Sequence, residues 1–386
     1  MNKPNYHGGG LINLVASIEN AMGGRSKYKS LSKLNPSELK DSKNIVLMLI
    51  DGLGYDFLMK NGKGTAFNKN IRGRMTSVFP SSTSAAIPTL MTGLSPQEHG
   101  MTGWFMYLRE FGSQIIPLPF IPRLKGGSNL GKLIKLKDVF NIKPVSDRLK
   151  VKTYVVQGNK ILNSDFTVAA AGKAKRMGYN KMGGYFRAIK TIINSNSQRK
   201  FIFAYYPEHD SLCHKNGSTN KKVLRHFKKL SKKLDFFIKS IEGTKTTIII
   251  TADHGITDVH PTKRINMRDH PELKETLVMP LCGEHRFAYA YVRPSEQKEF
   301  ERYVNTRLKH CCELFKSGEL LSKGYFGISN THDEFKNRIG DYILIMKDHY
   351  GIYDDPIYQK RDHYHIGDHG GTSSEELYVP LIVIRR

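Results

Sequence analysis

Cysteine and tryptophan are scarce in this chain, with four of the first and one of the second among 386 residues. Cys213, Cys282, Cys311 and Cys312 form no C-x-x-C pair, and the adjacent Cys311 and Cys312 make a poor disulfide. A disulfide framework is therefore not expected, and a reduced, cytosolic setting fits best. Acidic residues are also short, since 35 Asp and Glu face 60 Lys and Arg and leave a net charge of +25. Long apolar runs are missing altogether. Nothing reaches the roughly 20 apolar residues of a membrane helix, and the semi-apolar stretch from Leu11 to Ile18 ends at Glu19 without a signal-peptide cleavage pattern. A soluble protein is expected. No low-complexity tract and no internal repeat breaks the chain, so disorder and solenoid architectures are set aside.

What is present suits a globular enzyme. The length accommodates one large α/β domain with a smaller insertion. The positive charge suggests a polyanionic partner such as a nucleotide, a nucleic acid or an anionic membrane face. A lysine-rich surface kept soluble by its charge explains it equally well. The densest run, Lys221 to Lys239, carries Val223, Phe227, Leu230, Leu234, Phe237 and Ile241 at helical spacing. Its lysines therefore fill the solvated face of an amphipathic helix. A basic nucleic-acid or anionic-membrane binder would show steep salt dependence, but no helix-turn-helix, RNA-recognition or zinc-finger pattern is found.

The run Asn44 to Ile50 is continuously apolar and stops at Asp51-Gly52, as a fully buried parallel strand ends at a loop. Val151 to Gln157, Phe201 to Tyr206, Thr246 to Thr251, Tyr342 to Lys347 and Val379 to Ile384 repeat that signature, with helical stretches at 183 to 195 and 219 to 241 between them. Strand and helix alternate. This predicts an α/β fold with a doubly wound, mostly parallel sheet, helices on both faces, and ligands beyond the carboxyl ends of the strands. The segment from about 256 to 340 reads differently, with a strand at Arg286 to Arg293, a helix from Glu296 to Phe315 and glycine-rich turns. We expect a single catalytic domain with an inserted cap there.

Three strand ends carry acid or imidazole groups: Asp51, then Asp210 and His214, then Asp253 and His254. A fourth delivery is His369, in Gly-Asp-His-Gly-Gly before the last strand. One such Asp is ordinarily a turn or cap residue, but four independent deliveries are not. The i, i+4 spacing of Asp210 and His214 puts both on one helical face, as two ligands of one metal require. Asp253 and His254 need a bend, which Gly255 supplies. Three carboxylates and three imidazoles suit two divalent ions of the zinc kind, with manganese second, better than magnesium. Two such ions clamp the attacking and leaving oxygens of a displacement at phosphorus. A nucleophile is then wanted, and Ser81-Ser82-Thr83-Ser84 offers hydroxyls where a helix begins at Ala85, although ordinary N-capping explains them too.

Together, Leu49-Ile50-Asp51-Gly52, Val78-Phe79-Pro80-Ser81 through Thr83, Thr92-Gly93-Leu94-Ser95-Pro96, Tyr206-Pro207-Glu208-His209-Asp210 with His214, Thr251-Ala252-Asp253-His254-Gly255 and Gly367-Asp368-His369-Gly370-Gly371 resemble the nucleotide pyrophosphatase/phosphodiesterase branch of the alkaline phosphatase superfamily. The likeness spans nearly the whole chain. It implies one zinc on Asp51, Thr83, Asp253 and His254, and a second on Asp210, His214 and His369. It further implies Thr83 as the nucleophile and a phospho-threonine intermediate, with a small phosphorylated substrate such as a nucleotide. One departure is Trp104, which stands where nucleotide-hydrolysing members carry an asparagine that binds a phosphate oxygen. Trp104 is read as stacking a base, closing a pocket wall or packing in the core. A phosphomonoesterase or phosphonate hydrolase on the same ligands is the alternative enzyme. A sulfatase is disfavoured, because no C/S-x-P-x-R run lies near Thr83. Arg109, Lys125 and Lys160 are unranked phosphate contacts, and His363 and His365 are expected to be plain loop residues.

Overall fold

The structure, a computed structural model, describes residues 1–124, 128–354 and 364–386. In chain order the strands that matter here are β1 (Asn44–Ile50), β2 (Ile71–Thr76), β3 (Lys152–Gly158), β4 (Lys175–Tyr179), β5 (Lys200–Tyr206), β6 (Thr246–Thr251), β7 (Cys282–Gly283), β8 (Phe287–Ala290), β9 (Cys312–Lys316), β10 (Tyr342–Met346) and β11 (Tyr378–Arg385). The helices are α1 (Leu11–Ala21), α2 (Thr83–Thr92), α3 (Met182–Asn194), α4 (Glu208–Asn216) and α5 (Lys221–Ser240).

Seven strands form the main sheet in the order β2-β11-β6-β1-β5-β3-β4. β1 lies at its centre because every residue from Asn44 to Ile50 is buried, and it pairs in parallel with β5 on one side and β6 on the other. β3 runs parallel to β4 and β5, while β11 is antiparallel to β2 and β6. Helices pack on this mostly parallel sheet, as expected for the fold class. Ile50 is level with Tyr206, and Leu49 with Thr251. The carboxyl ends of β1, β5 and β6 therefore open side by side, and successive strands β5 and β6 straddle β1, the arrangement that leaves a crevice for a ligand.

A second sheet, β7-β8-β10-β9, is antiparallel throughout. Alternation sends Ala288, Ala290, Tyr342 and Leu344 into one apolar cluster. Phe287, Tyr289, Ile343 and Ile345 go into another that includes Phe79. The Phe79 and Phe287 rings lie 5.6 Å apart, so this sheet rests on the segment leading into α2.

Two expectations are corrected. Tyr342 to Met346 does not join the main sheet; it is the inner strand β10 of the second one, because a fully apolar run reports burial on both faces and not which neighbours supply it. The helix expected from Glu296 to Phe315 stops early. It covers Gln297–Tyr303 and a π turn at Val304–Leu308, after which β9 pairs with β10. The edge strands β2 and β4 carry exposed Arg72, Arg74, Lys175 and Arg176, charges that protect an edge and mask the apolar pattern of a strand. α5 buries Val223, Phe227, Leu230, Leu234 and Phe237 and leaves its lysines in solvent.

Candidate metal centre and nucleophile

Asp51 continues β1 by one hydrogen bond, from its N–H to the Tyr206 carbonyl at 3.0 Å, and its side chain is buried where the strand ends. α4 starts two residues after β5. Asp210 and His214 accordingly sit one turn apart, with His214 Nε2 3.2 Å from Asp210 Oδ2. His214 Nδ1 donates to the Gly367 carbonyl at 2.8 Å. Beyond β6, Asp253 and His254 are both fully buried. Asp253 Oδ1 accepts the N–H of Gly52 at 3.2 Å and that of His254 at 3.1 Å. Gly255 was expected to supply a bend. The chain bends at Asp253, and Gly255 is needed there for closeness as well, since a Cβ would stand 1.9 Å from the Glu375 carbonyl oxygen.

His369 arrives from the other end of the chain. Thr257–Asp258 pairs antiparallel with Gly367–Asp368, and this small ladder stacks the His369 ring on that of His254, with centroids 3.7 Å apart. His254 Nε2 lies 3.4 Å from both Asp51 Oδ1 and Asp253 Oδ2, while His369 Nε2 lies 3.9 Å from Asp210 Oδ1. Two sets can each place one donor atom from every member within 4.8 Å of the others: Asp210, His214 and His369, and Asp51, Asp210 and His254. Asp210 belongs to both. The structure thus brings together all six carboxylate and imidazole residues singled out in the sequence.

Of the four hydroxyls around the start of α2, three point to other partners. Ser81 Oγ donates to the Gly371 carbonyl at 2.6 Å, and Ser82 and Ser84 both donate to Glu284 Oε1. Thr83, the first residue of α2, is only partly buried and sets its Oγ1 3.0 Å from His254 Nε2. It is therefore the hydroxyl turned towards the ligand cluster. Trp104 is also partly buried, and its backbone N–H donates to Glu284 Oε1 at 3.0 Å. Arg109 and Lys160 are exposed and form no ion pair with the cluster among the described residues. Lys125 and His363 lie outside the described residues. His365, expected to be a plain loop residue, packs its ring 4.1 Å from that of His214 and forms a third possible donor set with His214 and Asp368.

The electrostatics describe a site short of positive charge. Burial holds the Asp51 carboxyl well above the usual range, and Asp253 and Asp210 add to the effect. Burial acts the same way on Asp210, but the adjacent His214 outweighs it and keeps that carboxyl below its ordinary value. For His214 burial opposes the charged ring, yet Asp210 raises it to about 10. Burial and the neighbouring His254 push His369 well below its usual value. Asp51 Oδ1, Asp210 Oδ1 and Asp253 Oδ2 are buried without a hydrogen-bond partner. Acceptors left so in a protein interior are costly unless a cation meets them. The donor set therefore fits divalent metal.

Sequence reasoning missed several supporting groups. The Tyr205 hydroxyl donates to Asp51 Oδ2 from within β5. His285 Nδ1 lies 2.7 Å from Asp368 Oδ2, next to His369. Glu284 joins Ser82 to Trp104. A tyrosine inside a wholly buried strand signals that its hydroxyl needs a partner; His285 and Glu284 sit in a turn with no motif around them.

A family model described as type I phosphodiesterase / nucleotide pyrophosphatase matches residues 45–372. Among solved structures, murine ectonucleotide pyrophosphatase / phosphodiesterase 5, in an inactive form with a threonine-to-alanine substitution and in complex with AMP, is similar with a TM-score of 0.65 and 17% identity over 87% of each chain. The human enzyme of that name gives a TM-score of 0.64 and 17% identity, covering 88% of this chain and 87% of its own. Phosphonoacetate hydrolase from Sinorhizobium meliloti, in complex with phosphonoformate, gives 0.64 and 15%, covering 89% of this chain and 90% of its own. A comparison with curated protein sequences finds no match. With most of its length matched by the family model, and with the motifs of the site inside that match, the chain belongs to the type I phosphodiesterase / nucleotide pyrophosphatase family, of the alkaline phosphatase superfamily.

Proposed function

We propose that the chain hydrolyses a phosphodiester or pyrophosphate bond with Thr83 as nucleophile and two divalent metal ions as cofactors. The observation that carries the reading is the Thr83 hydroxyl, partly exposed at the start of a helix and 3.0 Å from His254 in a buried cluster of carboxylates and imidazoles. Asp51, Asp253, His254 and Thr83 would hold one ion, and Asp210, His214 and His369 the other. Mixed nitrogen and oxygen donors favour zinc, with manganese second. Ions bound there supply Lewis-acid charge to the oxygens around phosphorus and lower the pKa of the attacking group.

The chain's own groups do the rest. Thr83 Oγ1 loses its proton and bonds to phosphorus as the bond to the leaving oxygen breaks. Water then cleaves the phospho-threonine, releasing the phosphoryl product and restoring the hydroxyl. Backbone N–H groups in the first turn of α2 face the region where negative charge builds up. Trp104, whose backbone N–H is joined to this turn through Glu284, would stack on a base or close the pocket wall. The murine relative that binds AMP is inactive with a threonine replaced by alanine, which agrees with a threonine at the centre of the chemistry. Four buried free cysteines suit a reducing compartment.

A phosphonate hydrolase is the second reading. The bacterial phosphonoacetate hydrolase is as similar in fold as the ectonucleotide enzymes, and Trp104 lacks the amide that marks nucleotide hydrolysis in this family.

The test is turnover of bis-p-nitrophenyl phosphate, p-nitrophenyl phosphate, thymidine 5′-monophosphate p-nitrophenyl ester and phosphonoacetate, with Zn²⁺ and after chelation, by wild type and Thr83→Ala. Metal-dependent diester hydrolysis that falls by about 10³-fold or more in the variant is expected. Full activity in the variant would remove Thr83 from its role. Preference for phosphonoacetate would move the chain to the second reading.

A further inference from the structure

Glu284 lies in the turn between β7 and β8, outside every motif that marks the site. Its N–H bonds the Phe287 carbonyl at 2.9 Å, closing the turn, and its carboxyl reaches away from the second sheet to the nucleophile segment. One oxygen, Oε1, accepts three hydrogen bonds: from Ser82 Oγ, from Ser84 Oγ at 3.4 Å and from the Trp104 N–H at 3.0 Å. Ser82 and Ser84 flank Thr83. The approach is close, since a Cβ at Gly370, beside His369, would stand 3.0 Å from the Glu284 Cβ.

Ser82 caps α2, its Oγ accepting the Ser84 N–H at 3.3 Å. A hydroxyl has one proton to give and two lone pairs with which to accept. By accepting the hydrogen bond from Ser82 Oγ, Glu284 leaves a lone pair of that oxygen directed at the helix N–H, so the cap is made in one orientation only. Ser84 Oγ stands 3.0 Å from Ser82 Oγ and 3.4 Å from Glu284 Oε1, so its single proton ties it to this pair on the other side. Thr83 is thereby fixed between two anchored neighbours, with its Oγ1 aimed at His254.

We propose that Glu284 is a positioning residue for the nucleophile: from the second sheet it clamps Ser82, Ser84 and the Trp104 backbone, and so sets where the Thr83 hydroxyl stands. The proposal rests on Thr83 being the nucleophile. It assigns the second sheet a part in the reaction rate that does not depend on substrate contact. Displacing a reacting group by about 1 Å costs on the order of 10²-fold in rate, and release of the clamp acts on that quantity.

The test uses the metal-loaded, full-length protein and measures kcat and KM for bis-p-nitrophenyl phosphate, with the folded fraction of each variant taken from near-ultraviolet circular dichroism. Glu284→Ala is expected to lower kcat per folded molecule roughly 10- to 100-fold with KM within about threefold of wild type. Glu284→Gln keeps an acceptor oxygen in the same place and should recover most of that loss. In a double-mutant cycle, adding Ser82→Ala to Glu284→Ala should cost less in kcat than the sum of the two single changes, because each removes the same contact. Unchanged kcat per folded molecule in Glu284→Ala, or Glu284→Gln as impaired as Glu284→Ala, overturns the proposal. Should Glu284→Ala fail to fold, Glu284→Asp, whose carboxyl falls one methylene short of the serines, takes its place in both measurements, and additive effects in the cycle overturn the proposal. The two readings fail separately. An active Thr83→Ala removes the nucleophile, whereas an inactive Thr83→Ala beside an unimpaired Glu284→Ala removes only the clamp.

Discussion

The parallel sheet and the antiparallel sheet beside it serve the candidate site in different ways. β1, β5 and β6 are buried along their whole length, and each runs into a turn or helix whose first residues carry a carboxylate or an imidazole. Register alone sets those groups level. The antiparallel sheet contributes no metal ligand from a strand end. It presses Phe287 against Phe79, extends Glu284 to Ser82 and sets His285 against Asp368. One sheet supplies the chemistry through covalent connection, and the other adjusts it through contact. Damage to the first should abolish function, and damage to the second should detune or destabilise it.

The largest expected effect is at Asp210, shared by both donor sets. In elemental analysis Asp210→Asn should lose the ion proposed for Asp210, His214 and His369, weaken the other because Asp210 also lies against Asp51 and His254, and lower kcat/KM by about 10³-fold or more. One full equivalent of tightly held metal in that variant would show that the two sets are independent, which breaks the picture of a single shared cluster.

Next in size is the joint between the sheets. Arg286, fully buried just before β8, holds Glu376 by two contacts of 3.1 and 3.2 Å, and Glu376 in turn accepts the Gly371 N–H at 2.9 Å, two residues from His369. Glu376→Gln removes one partner of a buried ion pair, which typically costs about 3–5 kcal/mol of folding stability. Urea unfolding measures it. A loss below about 1 kcal/mol would mean that the second sheet is not held to the main one through this pair.

The same division explains what could be read from sequence. Asp51, Asp210, Asp253 and their histidines were legible because each follows an apolar run that only a buried strand produces, and a strand end repeated at one level makes a site. β10 was legible as a strand but not as a member of the second sheet, since Tyr342–Met346 is apolar on both faces whichever sheet it enters. β2 and β4 were hidden by the charges that protect a sheet edge. Glu284 and His285 were illegible for a different reason. Their roles exist only when β7 and β8 lie against the nucleophile segment, and no local pattern encodes a contact across some 200 positions, as between Ser82 and Glu284.

A smaller effect sharpens the role of β5. Tyr205 donates its hydroxyl to Asp51 Oδ2, orienting a carboxylate whose other oxygen, Oδ1, has no hydrogen-bond partner. Tyr205→Phe keeps the ring and its packing and removes only that bond. Loss of such a supporting contact typically weakens metal binding about 10- to 100-fold, measurable by competition with a chromogenic chelator. Unchanged affinity would leave Tyr205 as a core residue with a conveniently placed hydroxyl.

The smallest effect concerns the protein stripped of metal. His214 offers Nδ1 to the Gly367 carbonyl and Nε2 to Asp210, contacts that suit a doubly protonated ring, and although burial opposes that charge, Asp210 raises the group to about 10. A group raised on folding stabilises the protein fully below its unfolded pKa, about 6.5, and that contribution disappears as pH climbs through the folded value. Stability of the metal-free protein should therefore fall between about pH 6.5 and 10. Asp210, held below the usual carboxylate range, reports the same contact from the acid side, so the pair counts once and also weakens as pH falls below about 4. Water reaches part of both groups, with side chains 18% and 12% exposed, which limits the contribution to about 1 kcal/mol. Urea midpoints across this range, for wild type and His214→Gln after chelation, measure it. The variant should lose the decline. If metal occupies the site through His214, saturating Zn²⁺ should abolish the decline in wild type as well, because the ion takes the nitrogen that the proton held.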